Sequence, residues 1–122
     1  STDIALTKAA GVGTGLILSV PCCQHELFKQ IQNEDLEPML KYGIMKDKFT
    51  ELATNALRGL ALEAAGYNVQ MIEFTSLEHT ARNIMIKAVK LNHKSKNAGN
   101  EYVKFSKMLN VKASAEEIMK NL

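Results

Sequence analysis

The segment LILSVPCCQHEL, residues 16–27, decides how the fold is interpreted. It opens with an apolar run of strand length, Leu16 to Val20, which Pro21 stops. The run shows no alternation of polar and apolar residues, so it predicts a central strand buried on both faces of a sheet. Thiol and polar side chains follow directly, at the carboxyl end of the strand, where open α/β sheets place their ligand crevices.

Helical patterns lie on both sides of this strand in the sequence. Residues 3–10 predict a helix, and residues 25–32 and 36–41 predict shorter helical pieces. In residues 48–65, apolar side chains recur at steps of three and four, which predicts the longest helix of the chain, closed by Gly66.

Two further strands are expected after the long helix, at 68–74 and 83–90, because both segments are rich in Val, Ile, Met or Phe. The eight residues between them contain no apolar pattern of helix length. These strands are therefore expected to be antiparallel neighbours. The periodicity alone predicts a partial α/β layer.

The carboxy-terminal tail is predicted to be helical and basic. Two short helices are expected there, at 98–109 and 114–121, the second starting at a capping box of Ser114 and Glu117. Residues 87–122 carry eight Lys against three Glu, whereas residues 1–86 carry seven Lys or Arg against ten Asp or Glu. Such a tail can attract phosphate backbones, and it is equally typical of a solvated surface.

Composition limits the class of protein. With 122 residues and 46% apolar side chains, the chain is long enough for one folded unit and too short for two. The two cysteines, Cys22 and Cys23, are adjacent and cannot close a disulfide-bonded loop, which fits a reducing cytoplasm. We find no apolar stretch of membrane-spanning length and no export signal, so a cytoplasmic protein without membrane contact is expected.

Two polar clusters are candidate sites. The first is Cys22 to Glu26, just past the predicted buried strand, and the second is Glu78 to Asn83, in the turn between the last two strands. Each cluster also has a purely structural interpretation. The cysteines can pack as small apolar groups while Gln24 to Glu26 begin a helix, and the second cluster can be an exposed hairpin loop.

Other chemistry has weaker support in the sequence. The glycines of Gly11 to Gly15 come after a helix and before a strand, whereas a phosphate-binding loop requires the reverse order, so they are interpreted as a turn. A zinc site is conceivable, but adjacent cysteines lack the usual ligand spacing; the residues concerned are Cys22, Cys23, His25 and His79. A nucleophilic cysteine would need a lowered thiol pKa and an aligned base.

The segment LSVPCCQHEL, residues 18–27, resembles the strand-to-loop motif of a family of class I S-adenosylmethionine-dependent methyltransferases that carry two cysteines after the fifth strand. Residues 2–6, TDIAL, are similar to the end of that family's preceding motif. Residues 78–80, EHT, and 83–86, NIMI, are similar to its final strand pair. Related segments occur in the methyltransferase domain shared by a eukaryotic tRNA 2′-O-methyltransferase and by proteins with a glutathione S-transferase carboxy-terminal domain. The resemblance covers residues 2–91.

The resemblance implies an α/β fold, the carboxy-terminal half of a Rossmann-like class I methyltransferase. Residues 1–91 would supply the fifth, sixth and seventh strands with their helices, the seventh antiparallel, and residues 92–122 a basic helical tail. The Gly-rich loop and the acidic residue that hold the cofactor in this family belong to the first four strands, and neither is present in this sequence. We therefore expect a portion of a methyltransferase that is inactive alone.

The resemblance also implies roles for seven residues. Cys23, Gln24 and His25 would form the catalytic acceptor side, Cys22, Glu78 and His79 would bind substrate at the same rim, and Asp3 would lie beside S-adenosylmethionine. Among the three catalytic residues, His25 has the usual pKa that suits proton acceptance near neutrality, so it would be the base for a hydroxyl acceptor. The methyl acceptor itself is open, with RNA as one candidate.

An alternative from another class is a protein- or nucleic-acid-interaction module without catalysis, which uses the basic tail to bind a partner. If the fifth strand lacks a neighbour, its unpaired amides and apolar side chains are open to association. A homodimer that joins sheets through this edge, or that swaps elements, is expected.

Overall fold

The computed structural model of the protein describes residues 2–11, 15–21, 26–75 and 82–120. In chain order its elements are α1 (Thr2–Gly11), β1 (Leu16–Ser19), a 3-10 turn (Glu34–Leu36), α2 (Glu37–Leu40), α3 (Gly43–Ala64), β2 (Tyr67–Thr75), β3 (Arg82–Lys90), α4 (Lys96–Leu109) and α5 (Glu116–Lys120).

The three described strands form one sheet in the order β1-β3-β2. Strand β3 is antiparallel to both neighbours, with Ala88 paired to Ile17 of β1 and to Val69 of β2. It follows that β1 and β2 run in the same direction, with α3 between them in sequence and β3 between them in space. The expected α/β class and the antiparallel pair after the long helix are confirmed.

The helices cover one face of this sheet. On that face Ile17, Ile86 and Ala88 are buried, and α3 packs against β2. The approach is close, because a Cβ built on Gly59 of α3 would lie 2.8 Å from the terminal methyl carbon of Met71 on β2. The remaining core lies among the helices, at Leu6, Leu27, Ile31, Leu40, Leu57, Leu62, Tyr102, Leu109 and Ile118.

The expectation of a central strand buried on both faces is wrong for β1. Ile17 is 7% exposed, whereas Leu16 and Leu18 are 51% and 57% exposed. The reason is the position of β1, which is an edge strand of the described sheet and whose second face meets no described element. An apolar residue indicates that burial is favourable, and burial then depends on whether another element covers that face.

The helical pieces between β1 and α3 also differ from expectation. Residues 26–30 form hydrogen-bonded turns and not a helix, and the piece expected at 36–41 is the 3-10 turn followed by α2. Helix α3 begins at Gly43, five residues before the predicted start. The pattern missed its first turn because Ile44 and Met45 are apolar yet exposed, so they break the amphipathic stripe.

The ends of the long helices follow capping rules. Helix α3 is closed by Gly66, whose φ of 101° is in the left-handed region that glycine tolerates best. Helix α4 begins with Ser95, whose hydroxyl oxygen accepts the amide of Ala98 at 3.1 Å, and ends at Asn110 in the left-handed conformation. The closure of the long helix at Gly66 is therefore confirmed.

The capping box expected at Ser114 is wrong. Helix α5 begins at Glu116, and the Ser114 hydroxyl donates instead to Glu26, 88 residues away in sequence. The hydroxyl that could cap its own helix therefore forms a hydrogen bond with a carboxylate from another part of the fold. The tail as a whole packs onto the body, α4 against α3 and α5 against α1 and α3. Within the described ranges, no helix combines the length and the apolar character needed to cross a membrane.

Candidate functional site

The first candidate cluster belongs to the loop that leaves β1. Strand β1 ends at Ser19, the described chain continues to Pro21, and it resumes at Glu26. Cys22, Cys23, Gln24 and His25 all lie outside the described residues. The structure therefore gives the two ends of this loop and not its chemistry.

The second cluster lies in the connection between β2 and β3. Glu78 and His79 fall within residues 76–81, which are also outside the described part, between Thr75 and Arg82. Because β1 and β2 are parallel, both clusters follow carboxyl ends that point to the same end of the sheet. The β2–β3 pair continues past Ser19 of β1 by four residues, about 13 Å at the usual rise per strand residue.

Asp3, the residue expected beside the cofactor, belongs to α1, but its side chain lies outside the described residues. Helix α1 packs on β1 and α5. Among the described side chains, no three of His, Cys, Asp or Glu gather where they could hold a metal ion. The residues of the zinc alternative are not among those described, so that alternative stays a prediction.

The chain immediately after the first cluster is tied to the tail by a set of hydrogen bonds that we call the tail clamp, between residues 26–33 and residues 108–114. One Glu26 carboxylate oxygen accepts from both the amide of Ser114 at 2.9 Å and its hydroxyl at 2.7 Å. The Gln30 side-chain carbonyl accepts the amide of Lys112 at 2.8 Å. The residue that follows His25 in sequence is thereby held in place by the tail.

Three more bonds complete the tail clamp. The Gln32 amide donates to the carbonyl of Leu109 at 3.0 Å, and the Asn110 side chain donates to the carbonyl of Gln32 at 2.6 Å. The Asn33 side chain donates to the carbonyl of Met108 at 3.1 Å. The tail clamp was not predicted from the sequence, because Glu, Gln and Asn in these segments are ordinary loop residues, and their pairing depends on the tertiary fold.

Arg58 is a second feature that sequence patterns missed. It lies in the middle of α3 and is 1% exposed, and among its polar contacts its guanidinium donates to the Asn55 side chain at 3.1 Å. An arginine keeps its charge at any ordinary pH, so burying it requires polar partners. The sequence carried no signal of this burial, because a charged residue next to Leu57 of the apolar stripe normally marks the edge of that stripe.

Two described groups on the side of the sheet that faces the helices have raised pKa values. Burial, and secondarily the neighbouring Glu101 carboxylate, raise the pKa of Glu63 above its usual 4.5, and burial raises the pKa of Tyr67. On the same side, a cleft of about 400 Å³ opens between α3 and α4. It is lined by Ala56, Leu60, Glu101, Lys104, Phe105 and Met108.

The chain was compared with models of protein families, with curated proteins and with solved structures, and no match was found in any of the three.

Proposed function

We propose that this chain is a carboxy-terminal portion of a Rossmann-like S-adenosylmethionine-dependent methyltransferase, with its acceptor site at the carboxyl end of β1. The observation that carries the proposal is the order of elements: a strand that ends in the double-cysteine motif, the long helix α3, and an antiparallel strand pair. That order is how the sheet of the family resembled by residues 18–27 ends. Because β1 and β2 run in the same direction, both candidate clusters follow strand ends at one end of the sheet, which supports a shared rim.

The free edge of β1 supports the same proposal. Leu16, Leu18 and Val20 are half exposed or more, and no described strand pairs with the outer side of β1. Natural sheets protect such edges with charges or bulges, and β1 carries no charged residue. A neighbouring strand from a cofactor-binding half would cover this edge.

This chain would contribute few contacts to the cofactor. The residues expected to hold S-adenosylmethionine belong to strands that the sequence does not contain, and Asp3 is the single residue here assigned to it. The described side chains alone do not form a set that fits the cofactor. What this chain would contribute is alignment of the acceptor and exclusion of water by the loop after β1, with His25 accepting the proton of a hydroxyl acceptor.

The first test is to sequence the gene upstream of the codon for Ser1. We expect roughly 100 or more residues that include a strand, a Gly-rich loop, a helix and a later acidic residue. An initiation codon directly before Ser1 would contradict the proposal. Calorimetric titration of the 122-residue chain with S-adenosylmethionine is expected to give no binding signal, whereas the longer protein should bind it.

The second test concerns His25 in the longer protein. His25→Ala is expected to lower transfer of labelled methyl groups to total RNA by about 100-fold, with cofactor affinity nearly unchanged, because a general base acts on the acceptor. His93→Ala removes an exposed histidine far along the chain and serves as the matched control. Equal turnover in the two variants would exclude the assigned role of His25.

A second candidate function is an interaction module without catalysis, which associates through β1. The observation that favours it is the same uncharged, half-exposed edge strand, because unpaired strand amides are a template for a second copy. Light scattering of the 122-residue chain is expected to give a dimer. A stable monomer at high concentration would exclude dimerisation through this edge.

A further inference from the structure

We propose that the solvent-facing side of α4 binds the phosphate backbone of nucleic acid, without preference between RNA and DNA. We call this side the basic face: Lys96, Asn100, Lys104 and Lys107. All four are exposed. The inference goes beyond the proposed methyl transfer and does not depend on it, since the basic face lies on α4 and not on the loop after β1.

Helical geometry places these four side chains together. Steps of four, four and three residues keep them on one side of a helix with 3.6 residues per turn, along about 16 Å of axis. The opposite side of α4 carries Ala98, Tyr102 and Leu109, which are buried in the body. Packing of α4 therefore forces the lysines outward.

The positive charge of the basic face is not neutralised by described neighbours. Within the part of the chain that the structure describes, Lys96, Lys104 and Lys107 have no carboxylate within ion-pair distance. The acid on α4, Glu101, lies on the adjoining side, where its carboxylate accepts a hydrogen bond from Asn97 at 2.8 Å. An unpaired lysine in contact with a phosphate releases condensed counterions, which is the main source of non-specific affinity for nucleic acid.

Flanking residues extend the charge beyond the helix. Lys94 precedes α4, and Lys112 follows it and shares a cavity of about 290 Å³ with Lys107. Glu116 lines that cavity as well, so an anion is disfavoured inside it. The open side of α4, which presents three ammonium groups and one amide without a carboxylate, is the better surface for a polyanion.

A nucleic acid fits the basic face better than a membrane does. A helix that binds anionic lipid needs an apolar side free to enter the bilayer interface. In α4 that side is already buried against the rest of the protein, and the exposed large apolar residues of the helix are Val103 and Met108, too few to form an apolar side. Lysine recognises phosphate as a point charge, so contact through this face should be independent of base sequence.

The test is fluorescence anisotropy of a labelled single-stranded RNA of uniform sequence, titrated with the 122-residue chain between about 50 and 200 mM salt. With three to four phosphate contacts, the logarithm of affinity should fall against that of salt with a slope of about −2 to −3. Replacing two lysines, K104A/K107A, should make the slope shallower by about 1.4 and weaken binding roughly tenfold or more at low salt. Alanine is a strong helix former, so α4 should persist, which circular dichroism checks.

The matched control is K29A/K48A, which removes the same charge from two exposed lysines away from α4. It should leave the slope unchanged. Equal losses in the two double variants would overturn the proposal, because net charge and not the basic face would then set the affinity. Absence of RNA binding, or tighter binding to vesicles of phosphatidylserine than to RNA, would overturn it too. Equal binding of single-stranded RNA and DNA would support backbone recognition.

Discussion

The two faces of the sheet are built from similar residues and have opposite environments. On the inner face Ile86 and Ala88 are fully buried beneath helices. On the outer face, Val89 of β3, the residue after Ala88, is 40% exposed. Leu18 of β1, on the same face, is 57% exposed. The contrast teaches that apolar composition marks a face for burial, and that stability comes only from the face that an element of the same chain covers.

The largest effect expected from this contrast is on stability. Ile86→Ala should lower the free energy of unfolding by about 2–4 kcal/mol, since it removes buried methyl groups and leaves a cavity in the hydrophobic core. Leu18→Ala on the outer face should cost less than about 1 kcal/mol, because its side chain is already in contact with water. Urea unfolding followed by circular dichroism measures both. Similar losses in the two variants would mean that the outer face is also covered in solution.

The sequence predicted the inner face well and the outer face badly. The apolar repeat of α3 and the Val, Ile, Met and Phe content of β2 and β3 predicted one helix and two strands that the structure has, although Leu52 and Ala56 of the repeat are exposed. The run of β1 could not reveal that one of its faces would be open, since that depends on elements elsewhere in the fold. The tail clamp was missed for a related reason, as polar loop residues do not encode their distant partners.

The candidate site was predicted less fully than the fold. The strands β1 and β2 run in the same direction, so their carboxyl ends, which the two clusters follow in the sequence, lie at one end of the sheet. Their side-chain roles stay predictions, because Cys22 to His25 and Glu78 to His79 lie outside the described residues. Sequence patterns also gave no reason to expect the buried Arg58, since a charged residue at a stripe position normally marks the end of the apolar side.

The next effect in size concerns the tail clamp, which joins the covered side to the loop after β1. Glu26→Ala should lower the free energy of unfolding by about 1–2 kcal/mol, because two hydrogen bonds to a carboxylate are lost at a partly exposed site. It should also raise the rate at which a disulfide reagent modifies the chain severalfold. The two cysteines of the protein, Cys22 and Cys23, lie four and three residues before Glu26, so this rate reports on the segment between β1 and Glu26 alone.

The control for the tail clamp is Glu117→Ala, which removes an exposed carboxylate 3.4 Å from Lys120. An exposed pair of this kind contributes less than about 1 kcal/mol, and neither stability nor thiol reactivity should change much. An unchanged thiol rate in Glu26→Ala would mean that the tail does not restrain the loop. In that case the hydrogen bonds to Ser114 would stabilise the tail only.

A third prediction tests whether the chain associates through the outer face of β1. Leu18→Lys places a charge on the outer face of β1, where natural edge strands carry such gatekeepers. The free energy of unfolding of the monomer should change by less than about 0.5 kcal/mol, since the site is exposed. The dimer expected for the unaltered chain should weaken by about tenfold or more, as measured by light scattering over a dilution series. Lys substituted for the exposed Leu52 of α3 is the control, and an equal effect there would place the interface on the helical side.

The smallest expected effect concerns Glu63, a carboxyl group that is partly buried on the side of the sheet covered by helices. The pKa of Glu63 is raised in the folded protein, so the native state holds this proton more tightly than the unfolded chain does. The resulting stability is present in full below pH 4.5 and is lost as the pH rises through the raised folded pKa. At neutral pH, Glu63→Gln should therefore raise the free energy of unfolding by about 0.3 kcal/mol. The decrease of that free energy with rising pH above 4.5 should also become smaller. Glu51→Gln changes an exposed carboxylate on the same helix and should do neither; if the two variants unfold alike across this range, the packing of α4 on α3 does not destabilise the charge on Glu63.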